Sequence, residues 1–293
     1  NTRDIKKRMK AVGNIKRITR TMQMIATSKF ARAQQASVAS RPYTESLFGL
    51  VAKLSAAGVG EGNALLSQPN PDAPELTLVI SAERGLCGPY NGSILRTSVK
   101  HLRANAGSEL EVVGKKGATA LRFNGFTEFK HHAAFGDKPA YEDVERLAAD
   151  YIERFVNGEV SAVRIVFMKY ISAGKQIPTV LQLLPFATPD ASESTQDTSG
   201  FTDVYEFSPD AESLLEYLLP SAVKAVLFQS FNDAIVSEHI ARMVAMKAAT
   251  DNAGKMGNSL KRQFNRLRQA QITTELTEII SGAAALEWRR TLR

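Results

Sequence analysis

Beyond Pro220 the chain runs for 73 residues without another proline, and a helix of that length would span on the order of 100 Å at about 1.5 Å per residue. No globular domain of this size needs such an element. The opposite end offers a partner for it. Thr2 is a suitable N-cap with Asp4 in the first turn, and Ile5, Met9, Val12, Ile15, Ile18, Met22 and Ile25 then recur at spacings of 4, 3, 3, 3, 4 and 3. This is a narrow seam rather than a broad core face. The 3-3 step at Val12, Ile15 and Ile18 departs from a strict heptad and predicts local overwinding or a change of partner. Met22 and Met24 are expected in the seam, with Gln23 on the surface. Pro42 predicts a bend or restart before a second helical stretch, Tyr43 to about Leu54. At the far end, Ser208-Pro209 signals a helix start. The stripe Ile235, Ile240, Met243, Val244, Met256, Leu260, Phe264, Leu267, Ile272, Leu276 and Ile279 predicts antiparallel pairing with the first helix.

Charge follows the same division. Residues 1–41 carry a net +10 and residues 254–293 a net +5, whereas the whole chain is only +7, so the middle is acidic. Segregation of this kind speaks about partners, because both ends must meet acidic groups or stay solvated.

Between the ends the period changes. Residues 61–75 read as a linker with three prolines. Strands are predicted at Leu76–Ile80, Glu109–Val113, Val160–Tyr170 and Thr179–Leu184, and helices at Asn91 to Leu102, Lys115 to Phe123 and Tyr141 to Phe155. That alternation predicts a small α/β unit with a partly parallel sheet. Residues 188–203 are a polar, acidic loop, and Val204 to Phe207 suggest a returning edge strand. The expected organisation is an N-terminal coiled-coil helix over 1–60, a central α/β domain over 74–207 and a C-terminal coiled-coil helix over 208–293.

Several function classes lose support at this stage. One cysteine, Cys87, permits neither an intrachain disulfide nor a cysteine-based zinc site. The four histidines, including adjacent His131 and His132, have no helical ligand spacing, so no metal is expected. No apolar run approaches the roughly 20 residues that span a bilayer. A start at Asn1 without Met implies processing and leaves a removed transit peptide open. The basic first helix has charge enough for nucleic acid, but it holds a single aromatic residue before position 41, Phe30, and its seam requires a helical partner. No G-x-G-x-x-G or Walker glycine loop follows the first strand, which argues against a nucleotide-binding enzyme domain and leaves no cofactor expected. Cys87 reads as a small buried residue of a tight turn rather than a nucleophile.

Four motifs carry a resemblance. Ile18-Thr19-Arg20-Thr21-Met22-Gln23-Met24-Ile25-Ala26-Thr27-Ser28-Lys29, then Arg84-Gly85-Leu86-Cys87-Gly88, then the runs Ala241 to Ala253 and Ala270 to Ala285, stand in the order found in the gamma subunit family of rotary ATP synthases. The chain resembles that family over nearly its whole length. It departs in having Glu83 where the family has Asp, in lacking a cysteine within 188–203, and in continuing through residues 286–293 past the usual family end.

The resemblance implies an antiparallel coiled coil of the terminal helices with an inserted, small Rossmann-like α/β domain. It implies a non-catalytic central-stalk rotor of a proton-translocating F-type ATP synthase, with catalysis on beta subunits. The implied partners are three alpha and three beta subunits, the epsilon subunit and the membrane c-ring, with no nucleic acid and no membrane insertion. The implied place is the cytoplasmic face of a bacterial inner membrane, or else a mitochondrial or plastid inner compartment. The implied partner-binding residues are Met22, Tyr205, Arg242, Arg268, Gln269, Thr273, Glu275 and Glu278, and Arg242 is expected to find its acidic partner on a neighbouring subunit.

Overall fold

The computed structural model describes residues 2–56, 63–67, 70–133, 135, 139–186 and 210–291. The Ser208-Pro209 signal, the strand expected at Val204–Phe207 and Tyr205 lie outside these residues. The chain divides into two compact units, Asn1–Ile25 with Met243–Arg293, and Ala26–Arg242.

Two long helices supply the first unit, parts of α1 (Thr2–Ala56) and α5 (Ala211–Thr291). They run antiparallel: Thr250 Oγ1 donates to Thr19 Oγ1 at 2.8 Å, while a Cβ built on Gly254 would meet Lys16 Nζ at 3.5 Å and one on Gly257 would meet Val12 at 3.8 Å. As numbers rise on one strand of the pair they fall on the other. On α5, Met246, Thr250, Ala253, Gly257, Leu260 and Phe264 are covered at alternating 4-3 spacing, flanked by partly covered Ala245, Ala249, Gly254 and Ser259. On α1, Ile5, Met9, Val12, Thr19 and Gln23 follow the same alternation, with Met22 half-buried beside them and an exposed Lys16 at the remaining heptad position against Gly254.

This corrects the predicted seam. Ile15, Ile18 and Ile25 are 51%, 59% and 53% exposed, and Met24 is 67% exposed. The heptad is unbroken because polar and small residues occupy it: Thr19 and Gln23 sit in the seam while the isoleucines stand on its outer flank. Threonine pairs with threonine there, so two buried hydroxyls satisfy each other. On α5, Val244 and Met256 are likewise outside the seam, and Leu267, Ile272, Leu276 and Ile279 are exposed rather than paired with α1.

The second unit is built on a five-stranded sheet, β1 (Glu75–Ile80), β2 (Glu109–Val113), β3 (Lys130–His132), β4 (Ala162–Ser172) and β5 (Lys175–Leu184), in the order β3-β2-β1-β4-β5. All pairings are parallel except β4 with β5. β3 is too short, at three residues, to show a sequence period. Helices α2 (Tyr90–Ala104) and α3 (Lys115–Phe123) cover one sheet face through Val79, Val112, Val166 and Met168. The opposite face, lined by Leu76, Leu78, Ile165 and Phe167, is covered by α4 (Tyr141–Val156), by Val51 and Leu54 of α1, and by Leu215 to Ala234 of α5.

Neither proline interrupts its helix: Pro42 lies inside α1 and Pro220 inside α5. The carbonyl that Pro42 leaves without a donor belongs to Val38, which is 56% exposed and so on the solvent side of the helix, where losing that donor costs least, and no restart is forced. The last turns of α1 are held by buried Leu47, Val51 and Leu54. Asp210 opens α5, its Oδ1 accepting from the Ser213 N–H at 2.8 Å and its Oδ2 from the Ser213 hydroxyl at 2.9 Å.

Candidate partner-binding surfaces

In a parallel sheet of this kind ligands enter the crevice at the carboxyl ends of the strands. Here that crevice, bounded by Ile80, Ser81, Glu83, Tyr90, Val113 and Gly114, is closed by Phe231, Ala234 and Ile235 of α5. Tyr90 donates its hydroxyl to the Ala234 carbonyl at 3.1 Å, and Ser237 Oγ donates to the Met168 carbonyl at 3.3 Å. The space a nucleotide would need is filled by the protein's own helix.

The loop after β1 is built to grip that helix. Asn91 clamps it by accepting from the Ala82 N–H at 3.1 Å and donating to Cys87 Sγ at 3.2 Å. Gly88 takes a positive φ of 57°, and so does Leu86 at 63°, a conformation that costs a non-glycine residue on the order of 1 kcal/mol. Leu86 is nevertheless 62% exposed while its neighbour Cys87 is buried. Burial pushes the Cys87 thiol above its ordinary range, partly offset by the Arg242 charge, which makes it a poor nucleophile. At the back of the loop Gly117 donates its N–H to Ser81 Oγ at 2.9 Å, and Glu83 accepts from the Lys115 N–H at 3.0 Å while pairing with its ammonium at 2.7 Å. Two carboxylate and hydroxyl acceptors thus cap α3.

Arg242 closes the grip. Its guanidinium lies 2.6 Å from Glu238 and donates to the Arg84 and Gly85 carbonyls at 3.4 and 3.5 Å. The expected acidic partner therefore exists within the chain, one helical turn earlier. Glu238 was legible as an i, i+4 partner of Arg242; the carbonyl contacts were not, since nothing local to residue 242 points to residue 84.

Arg268, Gln269, Thr273, Glu275 and Glu278 fall together on one exposed stretch of α5 in the first unit, where every described side chain from 265 to 284 is exposed. Thr273 Oγ1 donates to the Gln269 carbonyl at 3.0 Å and Gln271 donates to Glu275 at 3.0 Å. These polar groups are turned to their own helix and remain available for water or a partner. Among them stand Leu276, Ile279 and Ile280, 53%, 70% and 63% exposed. Met22 is half-buried on α1, beside a shallow groove with Asn14, Arg17, Ile18 and Thr21.

The family model described as ATP synthase matches residues 1–286. The ATP synthase gamma chain of Rhodopirellula baltica is 41% identical over 98% of this chain and 99% of its own length. The chain belongs to the ATP synthase gamma chain family. The gamma chain of Desulforudis audaxviator is 38% identical over 97% of this chain and 99% of that one. Among solved structures, the Euglena gracilis mitochondrial ATP synthase in its OSCP/F1/c-ring form contains a chain with a TM-score of 0.64 at 18% identity, covering 97% of this chain and 94% of that one. A chain of the Tetrahymena thermophila mitochondrial central stalk and c-ring matches with a TM-score of 0.57 at 19% identity, covering 79% of this chain and 99% of its own. At those identities the likeness is one of fold, shared between this chain's long terminal helices with their central five-stranded sheet and chains of ATP synthase rotor assemblies. Among the described residues no helix is long and apolar enough to cross a membrane.

Proposed function

We propose that this chain is the central-stalk rotor subunit of an F-type ATP synthase, and that it carries torque rather than performing chemistry. The observation that carries this reading is the exposed stretch 265–284 of α5: a helix that no described residue covers, and that displays isoleucines and leucines, needs a surrounding partner. Three alpha and three beta subunits would form that sleeve, with catalysis on the beta subunits. The epsilon subunit and the c-ring would hold the α/β domain, and Tyr205 would contribute there. Because a single helix pair cannot present the same face to three equivalent subunits, each would be biased to a different nucleotide affinity, every tenfold of bias requiring about 1.4 kcal/mol of differential contact. Arg268, Gln269, Thr273, Glu275 and Glu278 are the polar contacts proposed to supply it, with Met22 near acidic groups of the neighbours and Arg242, paired to Glu238 within the chain, holding the β1 loop in place for them. The family and its bacterial relatives support a peripheral place on the cytoplasmic face of a proton-translocating complex.

Replacing Arg268 or Gln269 by Leu in the assembled complex tests this. ATP hydrolysis and synthesis should both fall several-fold while the chain's helicity is unchanged; turnover equal to wild type in both variants would refute the contact.

A further inference from the structure

The two helices on one face of the α/β domain carry no carboxylate. α2 and α3 together hold six Lys and Arg, Arg96, Lys100, Arg103, Lys115, Lys116 and Arg122, against no Asp or Glu. α4, on the other sheet face, holds Glu142, Asp143, Glu145, Asp150 and Glu153 against Arg146 and Arg154. The domain is thus electrically two-sided: Lys115 is paired with Glu83 of the β1 loop, and the other five cations have no carboxylate on their own helices.

Three of those cations are aligned. Arg96, Lys100 and Arg103 are exposed and fall within about 60° of one another around α2, in a row roughly 10 Å long. They edge a groove of about 450 Å³ whose apolar floor is Leu95 and Val99 and whose end is Asn124. Among the described residues no carboxylate lies within ion-pair distance of the three; Arg96 donates only to its neighbour Ser93. Phe123, the residue before Asn124, is 92% exposed, the most exposed large apolar side chain among the described residues. A cationic groove with apolar lining, one residue along the chain from an exposed aromatic side chain, is the make-up of a docking surface rather than of a solvated face.

We propose that this groove docks a carboxylate-rich segment of another subunit of the complex, with acidic side chains repeating at about one helical turn to match the row and an apolar residue set against Phe123. The proposal rests on the rotor reading above for the existence of a neighbouring subunit. The cations are strung along the groove and do not converge on one point, which suits an extended row of charges rather than a single phosphate. Leu95 and Val99 are partly buried among the cations, which suits the mixed apolar and acidic side chains of a protein segment better than an anionic headgroup surface.

The test uses the purified, assembled ATP synthase carrying Phe123→benzoylphenylalanine, irradiated and analysed by mass spectrometry, with and without the triple change R96E, K100E and R103E. The expected result is a dominant adduct to an Asp/Glu-rich segment of another subunit, reduced about tenfold by the triple change, as loss of about 1.4 kcal/mol of charge pairing would give, and restored by R96K with R103K in place of the reversals. Adducts confined to lipid or to nucleic acid, an adduct to a segment without carboxylates, insensitivity to charge reversal, or no adduct would each overturn the groove proposal while leaving the rotor reading intact. Absence of the chain from the purified complex would overturn both.

Discussion

If Arg242 fixes the β1 loop to α5 through Glu238, the pair should show an energy well above that of a surface ion pair. An exposed Glu-to-Arg pair at i, i+4 contributes about 0.3–0.5 kcal/mol. Here both side chains are only 13% exposed, the charges are 2.6 Å apart, and the remaining contacts of the guanidinium are carbonyls at 3.4 and 3.5 Å, too long to compensate. Removing the carboxylate leaves a largely desolvated cation, which for fully buried pairs costs about 3–5 kcal/mol; residual solvent access brings the expectation for Glu238→Leu to about 2–3 kcal/mol and for Glu238→Gln to about 1–2 kcal/mol.

A double-mutant cycle of Glu238→Gln with Arg242→Gln isolates the pair, and its coupling energy should be about 1–2 kcal/mol by equilibrium unfolding of the full chain. Cys87 gives a local reading of the same event. It is buried under the loop that Arg242 holds, so each 1.4 kcal/mol lost from the clamp should raise its rate of reaction with a thiol reagent about tenfold if the loop opens locally. A coupling below about 0.5 kcal/mol together with unchanged Cys87 reactivity would refute the clamp.

Gly117→Ala should cost about 2–4 kcal/mol, since its Cβ would lie 2.3 Å from Ser81 Oγ and displace the group that caps α3; an unchanged melting temperature would show that the junction can yield. Glu111 is buried in β2, where burial alone would raise its pKa, but hydrogen bonds from His132 and Tyr151 and the nearby charges of His132 and Lys130 outweigh it and hold the carboxyl below its ordinary value. Its contribution is therefore complete above the unfolded pKa near 4.5 and is lost as pH falls through the depressed folded value. Glu111→Gln should flatten the acid limb of stability against pH, and an unaltered limb in thermal melts from pH 3 to 7 would refute it.

What the sequence made legible depended on whether the relevant contacts were local. Strand and helix periods placed β1, β2 and α3 within a residue of their observed bounds, because each buries a complete face on one sheet. The seam was misread for a physical reason: in a two-helix pair with small and polar residues at the contact, burial follows the 3.5-residue heptad and not hydrophobicity, so Thr19 and Gln23 are covered and Ile15, Ile18 and Ile25 are not. Pro42 reads as a break from local sequence because the burial that offsets its cost, at Leu47, Val51 and Leu54, comes from distant parts of the fold. Charge asymmetry was legible along the chain, whereas the two-sided charge of the α/β domain appeared only when the strands assigned α2 and α3 to one face and α4 to the other.

A second polar cluster shows the same preference for specificity over hydrophobic burial. Between α1 and α5 in the second unit, Gln229 donates to Asp233 at 2.9 Å and to Ser37 at 3.1 Å, and Ser40 donates to Gln229 at 2.9 Å. Burial raises the Asp233 pKa, opposed by the Gln229 hydrogen bond and the Arg41 charge, so ionising this carboxyl costs stability as pH rises from its unfolded value near 3.8 through the raised folded one. An apolar layer there would hold two helices together in several neighbouring registers with similar energy. A carboxylate that must find Gln229, with Ser37 and Ser40 completing the donors, penalises each slipped register by an unpaired buried charge. For a helix pair proposed to transmit torque, fixed register is worth that cost, because a shaft whose strands slide stores rotation as slip instead of delivering it.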